Sequence, residues 1–147
     1  MRSLGGFYTV ISEDGTKTEC RGRGIFRRDA TTLLVGDRCR FEPTEPGCGS
    51  ITAIAPRKNT LQRPPVANLD VLFIVASTVQ PVPSSLVLDK LTAIAVDKGV
   101  QPVVVCTKSD LAEADFLANA YAKSTLPFIR IDYESGAGLD EVKQWIN

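Results

Sequence analysis

The run Thr107-Lys108-Ser109-Asp110 follows directly on the apolar stretch Pro102-Val103-Val104-Val105-Cys106. A carboxylate at the carboxyl end of a buried parallel strand stands where α/β proteins place their ligands. There Asp110 can accept from the N1–H and the N2 amino group of guanine together, a paired match that adenine does not offer. The stem of Lys108 can lie over the plane of the base. Taken alone, the same four residues also read as a strand end whose aspartate caps the next helix. A second segment, Asp132-Tyr133-Glu134-Ser135-Gly136-Ala137-Gly138-Leu139, comes where the following strand should end. A turn there would bring backbone N–H groups to the same pocket. By itself it also fits an ordinary glycine-containing strand–helix loop.

Other chemistries are narrowed by composition. The chain has no histidine and four cysteines, Cys20, Cys39, Cys48 and Cys106, none in a C-x-x-C pair. Ser-His and Cys-His nucleophiles are therefore excluded, and the spacing of a zinc site is missing. The cysteines read as reduced, mostly packed thiols. Arg21, Arg23, Arg27, Arg28, Arg38 and Arg40 crowd into one stretch opposed only by Asp29 and Asp37. Strand alternation puts Arg21 with Arg23, and Arg38 with Arg40, on shared faces. Such a face can follow a phosphate backbone, with Phe7, Tyr8 or Phe26 stacking a base. A solvated basic surface over buried aromatics is the other reading, preferred for Phe26 and Phe41.

The elements that must position these residues fall into two groups. Residues 1–64 carry eleven Lys/Arg against seven Asp/Glu, and residues 65–147 carry six against ten. That asymmetry suggests two units with different partners. In the first, short strands are expected at Phe7–Ile11, Thr18–Phe26, Thr31–Val35, Arg38–Phe41 and Ser50–Ala55, separated by turn residues, which fits a small barrel. Ala55 to Pro65 should form an extended, fairly stiff join. From Val71 the pattern becomes alternating strand and helix, the signature of a parallel sheet. Strands are expected at 71–76, 102–106 and 128–131. A helix from Ser84 to Lys98 should turn Leu88, Leu91 and Ala95 inward, another spans about 112–124, and a last one from Leu139 carries Val142 and Ile146 inward. No apolar run is long enough to span a bilayer and no signal peptide is visible, so a cytoplasmic protein is the default.

Together and in this order, 107–110 and 132–139 resemble the fourth and fifth motifs of the GTPase superfamily, Asn/Thr-Lys-x-Asp and Ser-Ala-Lys. Ordinary GTPases carry the phosphate loop G-x-x-x-x-G-K-[ST] earlier in the chain, yet no glycine here precedes a lysine. The arrangement resembles the circularly permuted, ribosome small-subunit-dependent GTPase family (RsgA, also called YjeQ). Gly5-Gly6-Phe7-Tyr8, Cys20 to Arg28, Leu34-Val35-Gly36-Asp37-Arg38 and Pro56 to Asp70 carry the likeness through nearly the whole chain. The resemblance implies a β plus α/β fold: an OB-type five-stranded barrel in 1–63 that binds RNA, then in 64–147 a partial P-loop GTPase-type parallel sheet. It implies GTP or GDP as ligand, with Mg2+ in the complete protein and zinc only in a missing C-terminal region. The partners implied are the small ribosomal subunit and its 16S rRNA, with GTP hydrolysis in late subunit maturation.

In that frame Asp110 selects guanine, Lys108 flanks the base, Thr107 braces the pocket with one hydroxyl hydrogen bond, and the turn at Tyr133 and Glu134 contacts guanine O6 through backbone N–H. Two positions depart from the family pattern. Thr107 stands where Asn is commonest, and Asp132-Tyr133 where Ser-Ala is usual. The likeness stops at Asn147, before any phosphate loop, so this stretch holds no catalytic residue and is expected to be inactive alone. Strand 71–76 would then lie at an open edge and invite dimerisation. The rival is a non-enzymatic OB-fold RNA-binding protein with a degenerate α/β platform.

Overall fold

In the computed structural model, which describes residues 2–4, 6–22, 32–81, 84–112 and 115–146, the chain forms two units, Met1–Leu69 and Asp70–Asn147. Five strands make one sheet in the first: β1 (Arg2–Leu4), β2 (Phe7–Ile11), β3 (Lys17–Gly22), β4 (Cys39–Glu45) and β5 (Cys48–Ile54). Their order is β1-β2-β3-β5-β4, antiparallel except for the parallel β3–β5 pair. Val10, Cys20, Leu33 and Ile51 are buried on one face, with Tyr8, Cys39, Phe41 and Ile54 packed against them. Burial raises the pKa of Cys20, Cys39 and Cys106 above the usual thiol value. All four cysteines are free, and these three are poor nucleophiles for that reason.

This sheet differs from the expected barrel. Among the described residues no pairing joins β1 to β4, so the sheet is open rather than a closed five-stranded barrel. The strand expected at Thr31–Val35 does not form: residues 32–34 have no regular structure, and Val35 makes one isolated parallel bridge to Val66. Side chains take the backbone groups that a ladder would use. Asp37 Oδ2 accepts from Leu34 N–H at 2.8 Å, and Arg57 Nη2 donates to the Thr32 carbonyl at 2.6 Å. The fifth strand is supplied instead by Arg2–Leu4. The expected strand at Thr18–Phe26 runs from Lys17 to Gly22, with its last four residues outside the described set.

The join is not simply extended. Thr60–Gln62 (β6) and Pro65–Ala67 (β7) pair as a hairpin, and the segment folds back on the 34–37 loop. Ala67 N–H donates to the Val35 carbonyl at 2.8 Å, and Asn68 Nδ2 to the Gly36 carbonyl at 2.9 Å. Gly36 has φ +93°, and a Cβ there would meet the Ala67 carbonyl oxygen at 2.0 Å, so only glycine fits. Asn59 grips Leu69 at both ends, accepting from its N–H and donating to its carbonyl, each at 2.8 Å.

In the second unit β8 (Val71–Ser77), β9 (Gln101–Thr107) and β10 (Phe128–Arg130) form a parallel sheet in the order β10-β9-β8. Helices α1 (Ser85–Asp97), α2 (Asp115–Tyr121) and α3 (Leu139–Gln144) alternate with the strands. β9 is buried on both faces, as an unbroken apolar run in a covered parallel sheet should be. Val104 and Cys106 join a core with Leu88, Leu117 and Tyr121. Val103 and Val105 meet Ile129, Ile131 and Val142 on the other side. Each such side chain removes apolar area worth roughly 1.5–3 kcal/mol.

Two helix faces are shifted from expectation. α1 buries Leu88, Thr92 and Ala95, an i, i+4, i+7 row, and leaves Leu91 exposed. α3 ends at Gln144, so only Val142 packs inward while Ile146 is exposed. β8 lies at the sheet edge, where unpaired backbone groups invite pairing with another strand. Sedimentation across concentration is expected to show self-association of this chain through that edge; a single monomer at high concentration would refute it.

Candidate functional site

The carboxyl ends of β8, β9 and β10 meet around the 107–110 run. Thr107 closes β9, and its hydroxyl donates to the Ala76 carbonyl at 3.2 Å, tying β9 to β8. Lys108 leaves the strand with φ +61°, a left-handed conformation rare for a side-chain-bearing residue. Its ammonium donates to the carbonyls of Val79 at 3.2 Å and Gln80 at 2.9 Å. The charge is thereby pinned while the stem spans the gap between loop and strand. Ser109 donates from both N–H and Oγ to the Ile131 carbonyl, at 3.2 and 2.6 Å. These bonds tie the first motif to the end of β10.

The second segment forms a closed turn. Asp132 Oδ1 accepts from the N–H groups of Glu134 and Ser135, each at 2.9 Å. The Ser135 N–H bond, aided by that of Glu134, holds the Asp132 carboxyl below its ordinary value. Asp132 N–H donates to Ala137 O at 3.2 Å and Gly136 N–H to Asp132 O at 3.0 Å. Gly138 has φ +83°, and a Cβ there would fall 1.9 Å from the Arg130 carbonyl oxygen, so the turn closes onto β10 only with glycine. Asp132 thus holds the turn together through its carboxylate.

Asp110 and Tyr133 come together: Tyr133 N–H donates to Asp110 Oδ1 at 3.3 Å. The ring of Tyr133 is exposed, leaving the backbone group as its contribution. Glu134 N–H is spent on Asp132, so of the two turn residues only Tyr133 presents its N–H to the carboxylate. A donor beside a carboxylate matches guanine's edge, where the O6 acceptor is followed by the N1–H and N2 donors. Adenine presents the opposite order. Ser109 occupies the variable position of the 107–110 run, and Thr78, which donates from Oγ1 to the Lys108 carbonyl at 2.7 Å, lies in the loop after β8, outside either motif. A hydroxyl at a motif's variable position, or far from it in the chain, carries no spacing signal.

The basic residues are spread. Arg21 lies over the Phe7 ring, 4.3 Å from its centroid, as their cross-strand register allows. Phe7 is therefore already covered on one face. Arg38 and Arg40 are exposed beside a shallow groove whose floor includes Ala53, Ile54 and Pro56. Arg23, Arg27 and Arg28, like Phe26, lie outside the described residues. Among the described residues no group of three or more His, Cys, Asp or Glu side chains could hold a metal ion.

A family profile described as RsgA GTPase matches residues 54–147, and one described as RsgA N-terminal domain matches residues 1–51. The chain is 43% identical over 119 residues to the small ribosomal subunit biogenesis GTPase RsgA 2 of Oceanobacillus iheyensis, covering 81% of this chain and 40% of that protein. Its fold resembles the crystal structure of YjeQ from Thermotoga maritima with a TM-score of 0.81 and 31% identity, over 96% of this chain and 53% of that one. It also resembles YloQ, described as a circularly permuted GTPase, with a TM-score of 0.72 and 33% identity, over 88% of this chain and 48% of that one. The chain spans about half the length of the curated relatives it matches.

Proposed function

The chain belongs to the RsgA GTPase family, and from that premise we propose that it is the guanine-recognising and RNA-contacting part of a GTPase acting in late maturation of the small ribosomal subunit. One observation carries the nucleotide reading: the Asp110 carboxylate and the Tyr133 N–H stand side by side at adjacent strand ends. Guanine would place N1–H and N2 on Asp110 and O6 on Tyr133 N–H, replacing their long mutual bond. Lys108, its ammonium held on two carbonyls, would offer its stem to the base plane, and Thr107 would hold the strand ends in register. Glu134 would keep the turn in shape rather than touch the base.

Residues 64–147 would serve this nucleotide role and residues 1–63 the RNA role. An OB-type identity for the first sheet is supported by its five short strands and by the register shifts in the β4–β5 pair, which bend a sheet toward closure. Hydrolysis belongs to the proposed complete protein, since no G-x-x-x-x-G-K-[ST] run occurs in these 147 residues. That loop and magnesium supply most of the charge stabilisation in phosphoryl transfer. No catalytic residue is assigned to this chain. Assembly on the ribosome would place it in the cytoplasm; no helix among the described residues is long and apolar enough to cross a membrane.

The test is a titration of the chain with GMP and with AMP, followed through backbone amide resonances. Shifts at Asp110 and Tyr133 confined to GMP support the reading. Equal responses leave the alternative, an RNA-binding protein with a degenerate α/β platform. On the RNA side, 16S rRNA affinity should fall with salt, and Arg38→Ala with Arg40→Ala should lower the slope of log K against log salt by roughly 0.7–0.9 per phosphate contact removed. A slope unchanged in the double variant would remove these arginines from the interface.

A further inference from the structure

We propose that Thr78, at the exit of β8, is a positioning residue for guanine recognition that fixes the Asp110 carboxylate through the backbone of Lys108; the inference rests on the guanine reading given above. Thr78 is 6% exposed, and both of its hydrogen-bonding donors serve the 107–110 run. Its N–H donates to the Thr107 carbonyl at 3.0 Å and its hydroxyl to the Lys108 carbonyl at 2.7 Å. The next two residues return the contact, with the carbonyls of Val79 and Gln80 holding the Lys108 ammonium. Ser77 pins the same turn from inside, donating from Oγ to the Pro81 carbonyl at 3.0 Å.

The link to the carboxylate runs through one dihedral. Lys108 sits at φ +61°, a conformation that an L-residue with a side chain keeps only when its surroundings impose it. That angle turns the chain sharply out of β9, so that Asp110, two residues on, meets Tyr133 N–H. Return of Lys108 to negative φ would redirect Ser109 and Asp110. Thr78 and the carbonyls of 79 and 80 grip Lys108 at both its main chain and its side-chain tip, and so oppose that return. The turn after β8, which touches no base in this arrangement, thereby sets the angle of the base-reading group.

Thr78→Val keeps the branched shape and removes only the hydroxyl bond; Thr78→Ser keeps the bond. In GMP titrations of the chain, Thr78→Val is expected to weaken binding by about tenfold, the worth of one well-made hydrogen bond at the upper end of its range. Its Lys108 HN–Hα coupling should move away from the left-handed value. Thr78→Ser should match the wild type in both. A Thr78→Val protein with unchanged GMP affinity and unchanged Lys108 coupling overturns the inference, as does a Thr78→Ser protein that loses affinity to the same extent. If Asp110→Ala abolishes GMP binding and Thr78→Val leaves it untouched, the inference alone falls. If Asp110→Ala also leaves it untouched, the guanine reading falls and takes the inference with it. Should Thr78→Val not fold, Thr78→Ala is held to the same two criteria.

Discussion

Asp110→Ala is expected to remove the preference of this chain for GMP over AMP while leaving its melting temperature nearly unchanged. A paired contact to a base edge is worth roughly 1–3 kcal/mol of discrimination, which is a factor of about 5–150 in relative affinity. The site lies at the open ends of three strands, where water competes, so the lower half of that range applies to the chain by itself. Alanine deletes the two acceptors for N1–H and N2 and leaves Tyr133 N–H for O6, a group that cannot by itself reject adenine. The folding side of the expectation follows from the same geometry. Asp110 gives up only a 3.3 Å bond from Tyr133 N–H at the surface, and an exposed bond of that length contributes less than about 1 kcal/mol. Amide titration with the two nucleotides reads the first effect and calorimetric melting the second. Preference retained in the variant would end the assignment of Asp110 to the base.

The alternating unit was the more legible half. Val71–Ala76 and Pro102–Cys106 announce themselves as unbroken apolar runs; β9 is buried from Pro102 to Thr107, as a strand covered on both faces should be, whereas the edge strand β8 leaves Val75 exposed. Asp110 and the turn at Tyr133 could be named because parallel strand ends converge by topology, whatever lies between them in the chain. What holds them together could not be named. Thr78 and Ser109 act through main-chain carbonyls of Lys108 and Ile131, and a carbonyl leaves no mark in the sequence. The first unit was harder for a related reason. Thr31–Val35 has the β-branched and apolar residues of a strand, yet Asp37 and Arg57 claim its backbone groups. Arg57 lies twenty residues from Asp37, in a segment whose prolines and basic residues suggested only a stiff connector.

Asp37→Ala should therefore be strongly destabilising to the first unit. The side chain of Asp37 is fully buried, with 0% exposure against 23% for Arg57. Its two oxygens accept from Arg57 Nε at 2.7 Å and Nη2 at 2.8 Å, and Oδ2 also receives the Leu34 N–H. Loss of the carboxylate strands a guanidinium that is largely enclosed and takes away the acceptor of the Leu34 N–H. Breaking one side of a buried ion pair costs about 3–5 kcal/mol, and partial exposure of Arg57 brings the expectation to about 3 kcal/mol. A unit of this size is held by roughly 5–15 kcal/mol in all, so the variant should sit near its folding threshold. Arg57→Lys should recover part of the loss at most, because an ammonium cannot make the two-pronged contact. The damage should also be local. Hydrogen exchange is expected to quicken at the amides of β4, β5 and the 34–37 loop while β8 and β9 keep their protection. Uniform loss of protection in both units, or a variant as stable as the wild type in urea, would show that the Asp37–Arg57 clasp does not hold the 32–37 loop to the segment after β5.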